Sequence, residues 1–237
     1  DSDTVFEQVA EDFAELSVRY NYSDLADSFY SEGITLYNMG VYSISLLLFE
    51  RSARECGDSD NGRLVRALKY AAYSAKKMRN YAHAAELILM AVDIKEKHPD
   101  DVVYSLWDLY DDAETVFRES GKGAEAFEWS RKIIALLKKE GDMGKLVGAC
   151  NVHGINANAM MRKKDIPQEE KEKYFIEAYS AYKEAEKLNN DGESRVLVAN
   201  RASIVFEAAK IVGDVAWKYV DEHIAILEKL LLQPDDK

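Results

Sequence analysis

The stretch EGITLYNMGVYSISLLLFERSA, residues 32–53, decides the fold. Its apolar residues recur at helical spacing, yet it contains Gly33 and Gly40, and its second half, SISLLLF, is apolar on nearly every side. A surface helix keeps one polar face, so a helix without one has to be covered on two sides. Gly33 costs a helix interior about 1 kcal/mol relative to Ala, which is offset where a neighbouring helix must approach closely. Gly40 suits the positive φ of a tight helix C-terminus. The stretch therefore reads as two antiparallel helices, the second sandwiched between its partner and a further helix.

Outward from this pair, breaker clusters fall at 56–62 (CGDSDNG), 97–101 (KHPDD), 119–123 (ESGKG), 140–144 (EGDMG), 163–168 (KKDIPQ), 189–194 (NNDGES) and 212–214 (VGD). Between them the apolar spacing is helical throughout, without the alternation of a strand. The segment VFEQVAEDFAEL (5–16) places Val5, Phe6, Val9, Phe13 and Leu16 on one stripe behind Asp3 or Thr4 as N-cap. Pro167 falls just inside a helix start and Gly192 just past an end. Gly148 and Gly154 are expected to permit close packing as Gly33 does.

The pairs repeat. Phe29-x2-Glu32-Gly33-x2-Leu36, Gly40, Tyr42, Ser45-x3-Phe49 and Ser52 form one unit, and its second half recurs. Asn80-Tyr81 leads to Ala84-x3-Ile88 and Ala91, Gly121 and Gly123 to Ala126-x3-Ser130, and Phe175 to Ala178-x3-Tyr182 and Ala185. A weaker copy surrounds Gly213-Asp214, with Trp217 where a small residue is usual. Over residues 24–233 this resembles the tetratricopeptide repeat (TPR) family. Second helices start near Tyr42, Tyr81, Gly123, Phe175 and Val215, intervals of 39, 42, 52 and 40 residues, against about 34 in the standard repeat. Lengthened repeats are similar to those of transport attachment proteins, kinesin light chains and peptide-sensing bacterial regulators. The resemblance implies an all-α, right-handed superhelical array of antiparallel helix pairs, a TPR-like α-solenoid of about eleven helices. A leading helix (about 4–20, within an N-terminal segment 1–22) precedes a repeat domain, 23–237, with pairs at about 24–56, 62–97, 101–139, 143–188 and 193–233.

Bulk properties bound the function. The 237 residues are 47% hydrophobic, enough for a substantial core. The net charge of −12 disfavours nucleic acid, whose binding rests on neutralising phosphates. Residues 1–60 hold 13 acidic against 3 basic side chains, whereas residues 61–82 carry six basic and no acidic ones. No run reaches the roughly 18 apolar residues of a membrane span, and Asp1 opens no signal-like segment, so a cytoplasmic protein is expected. Cys56 and Cys150 lack a CxxC spacing and read as packed, reduced thiols. His83, His98, His153 and His223 form no metal-ligand pattern, and no GxSxG, Walker or GxGxxG loop is present. DSDNG (58–62) departs from a calcium loop, with Lys69 where the bidentate Glu belongs, and Asn21-Tyr22-Ser23 reads as a turn before a helix. A non-catalytic protein without cofactor or metal is expected.

In the TPR family the first helix of each pair lines a concave, peptide-holding side. At about 100° per residue, Leu64, Leu68, Ala71, Ala72, Ala75 and Met78 gather on one side of their helix, and Arg66, Lys69, Tyr73, Lys76, Lys77 and Asn80 on the other. In the preceding pair Phe29, Gly33 and Leu36 face the packing side and leave Tyr30, Ile34 and Tyr37 to the groove, while Asn151, Asn158 and Arg162 share a later stripe. The candidate peptide-binding residues are thus Tyr30, Tyr37, Arg66, Lys69, Tyr73, Lys76, Lys77, Asn151, Asn158 and Arg162, an aromatic floor beside a basic and amide-rich wall suited to an acidic or C-terminal carboxylate segment of a partner protein. Against this, a basic helix face is often merely solvated, or balances the acidic N-terminal quarter. Lys69-x3-Tyr73 also departs from the Lys-x3-Asn of carboxylate-clamp members. Other readings are a structural, oligomerising or sensor domain of a larger protein, self-associating through HIAILEKLLL (223–232), and a phosphopeptide cup of the 14-3-3 type, for which no cluster of two arginines, a lysine and a tyrosine is found.

Overall fold

In the computed structural model the described residues are 24–56, 60–189 and 195–231, together with Gln8, Glu11, Asp12 and Glu15. Those four are exposed and helical; the rest of the expected leading helix and its Val5–Leu16 stripe lie outside the described residues, as does Gly192. No strand occurs among the described residues. The chain forms two compact units, residues 1–121 and 122–237.

The first unit contains α1 (Leu25–Asn38), α2 (Tyr42–Cys56), α3 (Asn61–Lys77), α4 (Tyr81–Lys97) and α5 (Leu106–Glu119), each packed on the next. Short polar side chains close their N-termini. Asp24, Asp60 and Asn80 accept from the backbone three residues on, and Ser105 forms a reciprocal capping box with Asp108. The opening stretch folds as its composition requires. Helix α2 buries Leu46, Leu48 and Phe49 between α1 and α3, and two small hydroxyls bind it to each neighbour. Ser52 Oγ donates to Ala26 O of α1 at 2.7 Å, and Ser45 Oγ lies 3.0 Å from Ser74 Oγ of α3. A Cβ on Gly33 would stand 2.7 Å from the Phe49 ring, which is why this helix face carries none. Gly40 has φ +80°, and Arg79 takes the same turn position one pair later at φ +60°, a conformation that L-residues rarely adopt.

The second unit contains α6 (Gly123–Glu140), α7 (Met143–Met161), α8 (Gln168–Leu188), α9 (Arg195–Ile211), α10 (Asp214–Trp217) and α11 (Val220–Leu231). Its core gathers Phe127, Met161, Phe175, Tyr179 and Tyr182 with Ile204, Val205 and Ala208 of α9. Gly154 is the counterpart of Gly33, since a Cβ there would meet the Tyr182 ring at 2.6 Å. Gly148 is not: nothing lies within 4 Å of its would-be Cβ, so the packing role expected for it is corrected. Pro167 stands one residue before α8, with extended ψ, rather than inside its first turn. The last second helix is split into α10 and α11 around Lys218 and Tyr219. The Tyr219 ring packs 4.4 Å from Tyr179 and 5.9 Å from Phe175, and its carbonyl accepts from His223 Nδ1 at 2.7 Å.

Candidate functional site

Aromatic rings cluster in the first unit around Tyr70, a residue that projection left between the two sides of α3. The Tyr70 ring lies 5.6 Å from Tyr30, 6.2 Å from Tyr37, 5.5 Å from Phe49 and 5.6 Å from Tyr73. Burial raises the Tyr30 and Tyr73 pKa values, so both stay neutral phenols.

The basic wall is different from the one expected. Leu68, Ala72 and Ala75 are buried as anticipated, but so is Lys69, only 9% exposed. Its ammonium sits 2.8 Å from Asp112 and 4.7 Å over the Tyr104 ring, and Tyr73 Oη donates to both Asp112 oxygens at 2.8 and 2.9 Å. Arg66 lies 4.1 Å over Tyr30 and bonds Asp27 at 2.5 Å. Lys76 approaches Glu119 at 3.5 Å, and Arg63 pairs with Asp24 and Asp60. Lys77 is exposed and makes no ion pair among the described residues. The expectation of an accessible Lys69 is thereby corrected, and the remaining cations of α3, Lys77 apart, are paired: Arg63 and Arg66 with Asp24, Asp27 and Asp60, Lys76 with Glu119. These acids were missed, although their signal is in the numbering. Arg63–Asp24, Arg66–Asp27 and Tyr73–Asp112 each span 39 residues, one repeat.

In the second unit, Asn151, Asn158 and Arg162 do share a stripe, and it faces α9. Asn200 Nδ2 donates to Asn151 Oδ1 at 2.9 Å, Asn158 Nδ2 to Glu207 at 3.4 Å, and Arg162 pairs with Glu207. The amide links again span one constant offset, 49 residues. Ile155, between the asparagines, is 44% exposed, and Val196, one turn before Asn200, is 65% exposed. Two parallel stripes result, Asn151–Ile155–Asn158–Arg162 and Val196–Asn200–Ser203–Glu207, with amides and aliphatic side chains interleaved. On α11, Ile224 is exposed and Leu227 half-buried; the side chains of Leu230 and Leu231 lie outside the described residues.

One buried constellation contains nucleophile, imidazole and carboxylate. Ser130 Oγ lies 2.7 Å from His153 Nδ1, and His153 Nε2 3.0 Å from Glu177 Oε1. Arg131 grips both Glu177 oxygens at 2.8 and 2.7 Å. Burial lowers the His153 pKa despite Glu177, so the ring is neutral and Nε2 donates to Glu177, while the single Ser130 hydroxyl hydrogen is shared between His153 Nδ1 and the Phe127 carbonyl, each at 2.7 Å. Ser130 is 1% exposed, which leaves its oxygen unreachable by a substrate in this conformation. The arrangement ties α6, α7 and α8 together. Burial also raises the thiol pKa of Cys56, and of Cys150 to about 11, so both are inert free thiols. Among the described residues no group of three metal-ligating side chains occurs, and no helix is long and apolar enough to cross a membrane.

No protein-family model matches the chain, and no curated protein does. Solved structures do. BtubC (BKLC) from P. vanneervenii is similar at TM-score 0.55 and 11% identity, over 99% of this chain and 92% of that one. The nearly identical TPR-like repeats of a putative kinesin light chain from Podosopora anserina give TM-score 0.58 and 14% identity over 87% and 97%. MamA (41-end) from Desulfovibrio magneticus RS-1 gives 0.56 and 11% over 90% and 98%. The chain therefore has a TPR-like α-solenoid fold. At these identities the likeness is one of fold.

Proposed function

We propose that the chain is a non-catalytic interaction module, an adaptor or scaffold, that holds an extended segment of a partner polypeptide on its first-helix faces. The observation that carries this reading is the paired stripe of α7 and α9. The Asn151–Asn200 amide pair leaves Asn151 Nδ2 as a donor and Asn200 Oδ1 as an acceptor, the complement of a peptide backbone, and Ile155 and Val196 leave apolar positions for alternate side chains of the bound segment. In the first unit Tyr30, Tyr37, Arg66, Tyr73 and Lys76 would supply an aromatic surface whose cations are already paired, with the exposed Lys77 beside it and Lys69 buried beneath. An acidic or carboxylate-ended partner is favoured only by Lys77, because the other cations already have carboxylates.

The test is selection of a random 12-residue peptide library on the purified chain. Recovered peptides are expected to lose about tenfold or more in affinity to the Asn151→Ala/Asn200→Ala double variant, consistent with about 0.5–1.5 kcal/mol per hydrogen bond, with unchanged thermal melting. Undiminished binding by the double variant, or failure to recover any peptide, would sink the proposal.

A further inference from the structure

The N-terminal half of α8 forms one wall of an open groove of about 450 Å³, lined by Glu169, Glu172, Lys173, Ile176, Glu177 and, from α10, Val215. None of these belongs to the α7–α9 stripes. Glu169, Glu172, Lys173 and Ile176 lie at i, i+3, i+4 and i+7, so they run along the helix axis for roughly 10 Å at 1.5 Å per residue. The floor is aliphatic, with Ile176 39% exposed and Val215 half-buried. The rim is acidic, three glutamates against one lysine. Glu172 makes no ion pair among the described residues. Glu177 is held rigid by Arg131 and His153 from behind, and burial, outweighed by Arg131, leaves its pKa lowered, so it stays ionised. Glu169 is matched by Lys173 at 3.0 Å, an exposed pair of little energetic weight, and Glu177 by Arg131, which leaves Glu172 as the unpaired charge of the rim.

We infer that this groove docks a basic amphipathic helix of a partner protein, whose aliphatic stripe lies on Ile176 and Val215 and whose flanking lysines or arginines meet Glu172 and Glu169. A straight row of anchors at helical spacing matches a second helix laid alongside, which presents its own side chains at i, i+3, i+4 and i+7. Like charge turns away an acidic helix, and the unpaired Glu172 gains a partner only from a basic one. Because charge supplies encounter rate and selectivity here, binding is salt-dependent.

The experiment uses the full chain with isotope-labelled Ile and Val methyl groups and two synthetic 18-residue helical peptides. Both carry leucines at i, i+4, i+7 and i+11; one flanks them with lysines, the other with glutamates. The lysine peptide should shift the Ile176 and Val215 methyls saturably, and Glu172→Lys and Ile176→Asp should each weaken it about tenfold or more, with the fold verified by the remaining methyl spectrum. The Asn151→Ala/Asn200→Ala variant should bind it unchanged, which separates this inference from the peptide-stripe reading. Equal binding of the glutamate peptide, shifts that map elsewhere, or retained affinity in Glu172→Lys would overturn it. Concentration-dependent Ile176 shifts without peptide would name a second copy of this chain as the occupant and overturn it likewise.

Discussion

Lys69 shows how one residue changes meaning between sequence and structure. By projection it belongs to an exposed basic stripe, and reversing an exposed charge changes stability by no more than about 0.5 kcal/mol. In the fold it is a buried cation, with Asp112 and two tyrosine rings around it. Breaking a buried ion pair from one side costs about 3–5 kcal/mol, because the remaining charge is stranded. Lys69→Glu, which also sets two carboxylates together, is expected to lower the denaturant midpoint of the first unit markedly. Lys77→Glu, on the exposed part of the same helix, should leave it unchanged. Equal midpoints for the two variants in urea titration would show that Lys69 is solvated. The burial was not visible in the sequence since it depends on Tyr104 and Asp112, whose own placement requires knowing how α5 packs.

At the scale of the element, glycines report where one helix needs another to come close. Gly33 and Gly154 stand against Phe49 and Tyr182 with no room for a methyl group, while Gly148 faces open space. Alanine at Gly33 or Gly154 should therefore destabilise the chain by about 1–3 kcal/mol through overpacking of rigid rings. Alanine at Gly148 should stabilise it by about 0.5–1 kcal/mol, the helix-propensity gain alone. Thermal melting of the three variants checks this directly, and a stabilising Gly33→Ala would mean that the α1–α2 contact is looser than described. The sequence marked all three glycines as anomalous within helices. It could not tell which of them a ring would cover, because helical spacing gives the face of a residue but not the size of its neighbour.

Across the whole molecule the perturbed histidines of the two units respond oppositely to pH. In the first, His83 is opposed by burial, but hydrogen bonds to Glu50 at 2.5 Å and Glu86 at 3.3 Å prevail, and its pKa is raised. Its contribution is complete below the unfolded value of about 6.5 and is lost as pH rises through the raised folded value. In the second, burial lowers the pKa of His153 and of His223, which is fully enclosed. Their neutral forms stabilise the unit above about pH 6.5, and that stability falls as acidification proceeds towards the lowered folded values. Imidazole resonances followed by NMR should titrate above 6.5 for His83 and below it for His153 and His223, and acidification should lower the urea midpoint of the second unit first. A His153 that titrates above His83 would refute the account.

Local sequence chemistry determined that the described chain is helical and where its tight, glycine-bearing turns fall. Phe29, Gly33, Gly40 and Phe49 carry the helix-pair pattern on their own, because periodicity and turn residues act over a few positions and need no distant partner. It also determined the candidate stripes on α3 and α7, which are consequences of helical geometry. Tertiary structure alone decided what those stripes offer. Electrostatic pairing and burial depend on side chains a repeat away: Asp27 pairs Arg66 from 39 residues' distance and Asp112 pairs Lys69 from 43, Asn200 and Glu207 complete the amide face from 49, and Arg131 joins Glu177 across 46. Such contacts are fixed by how helices stack, and stacking is the sum of many weak packing choices that no single segment of the chain encodes.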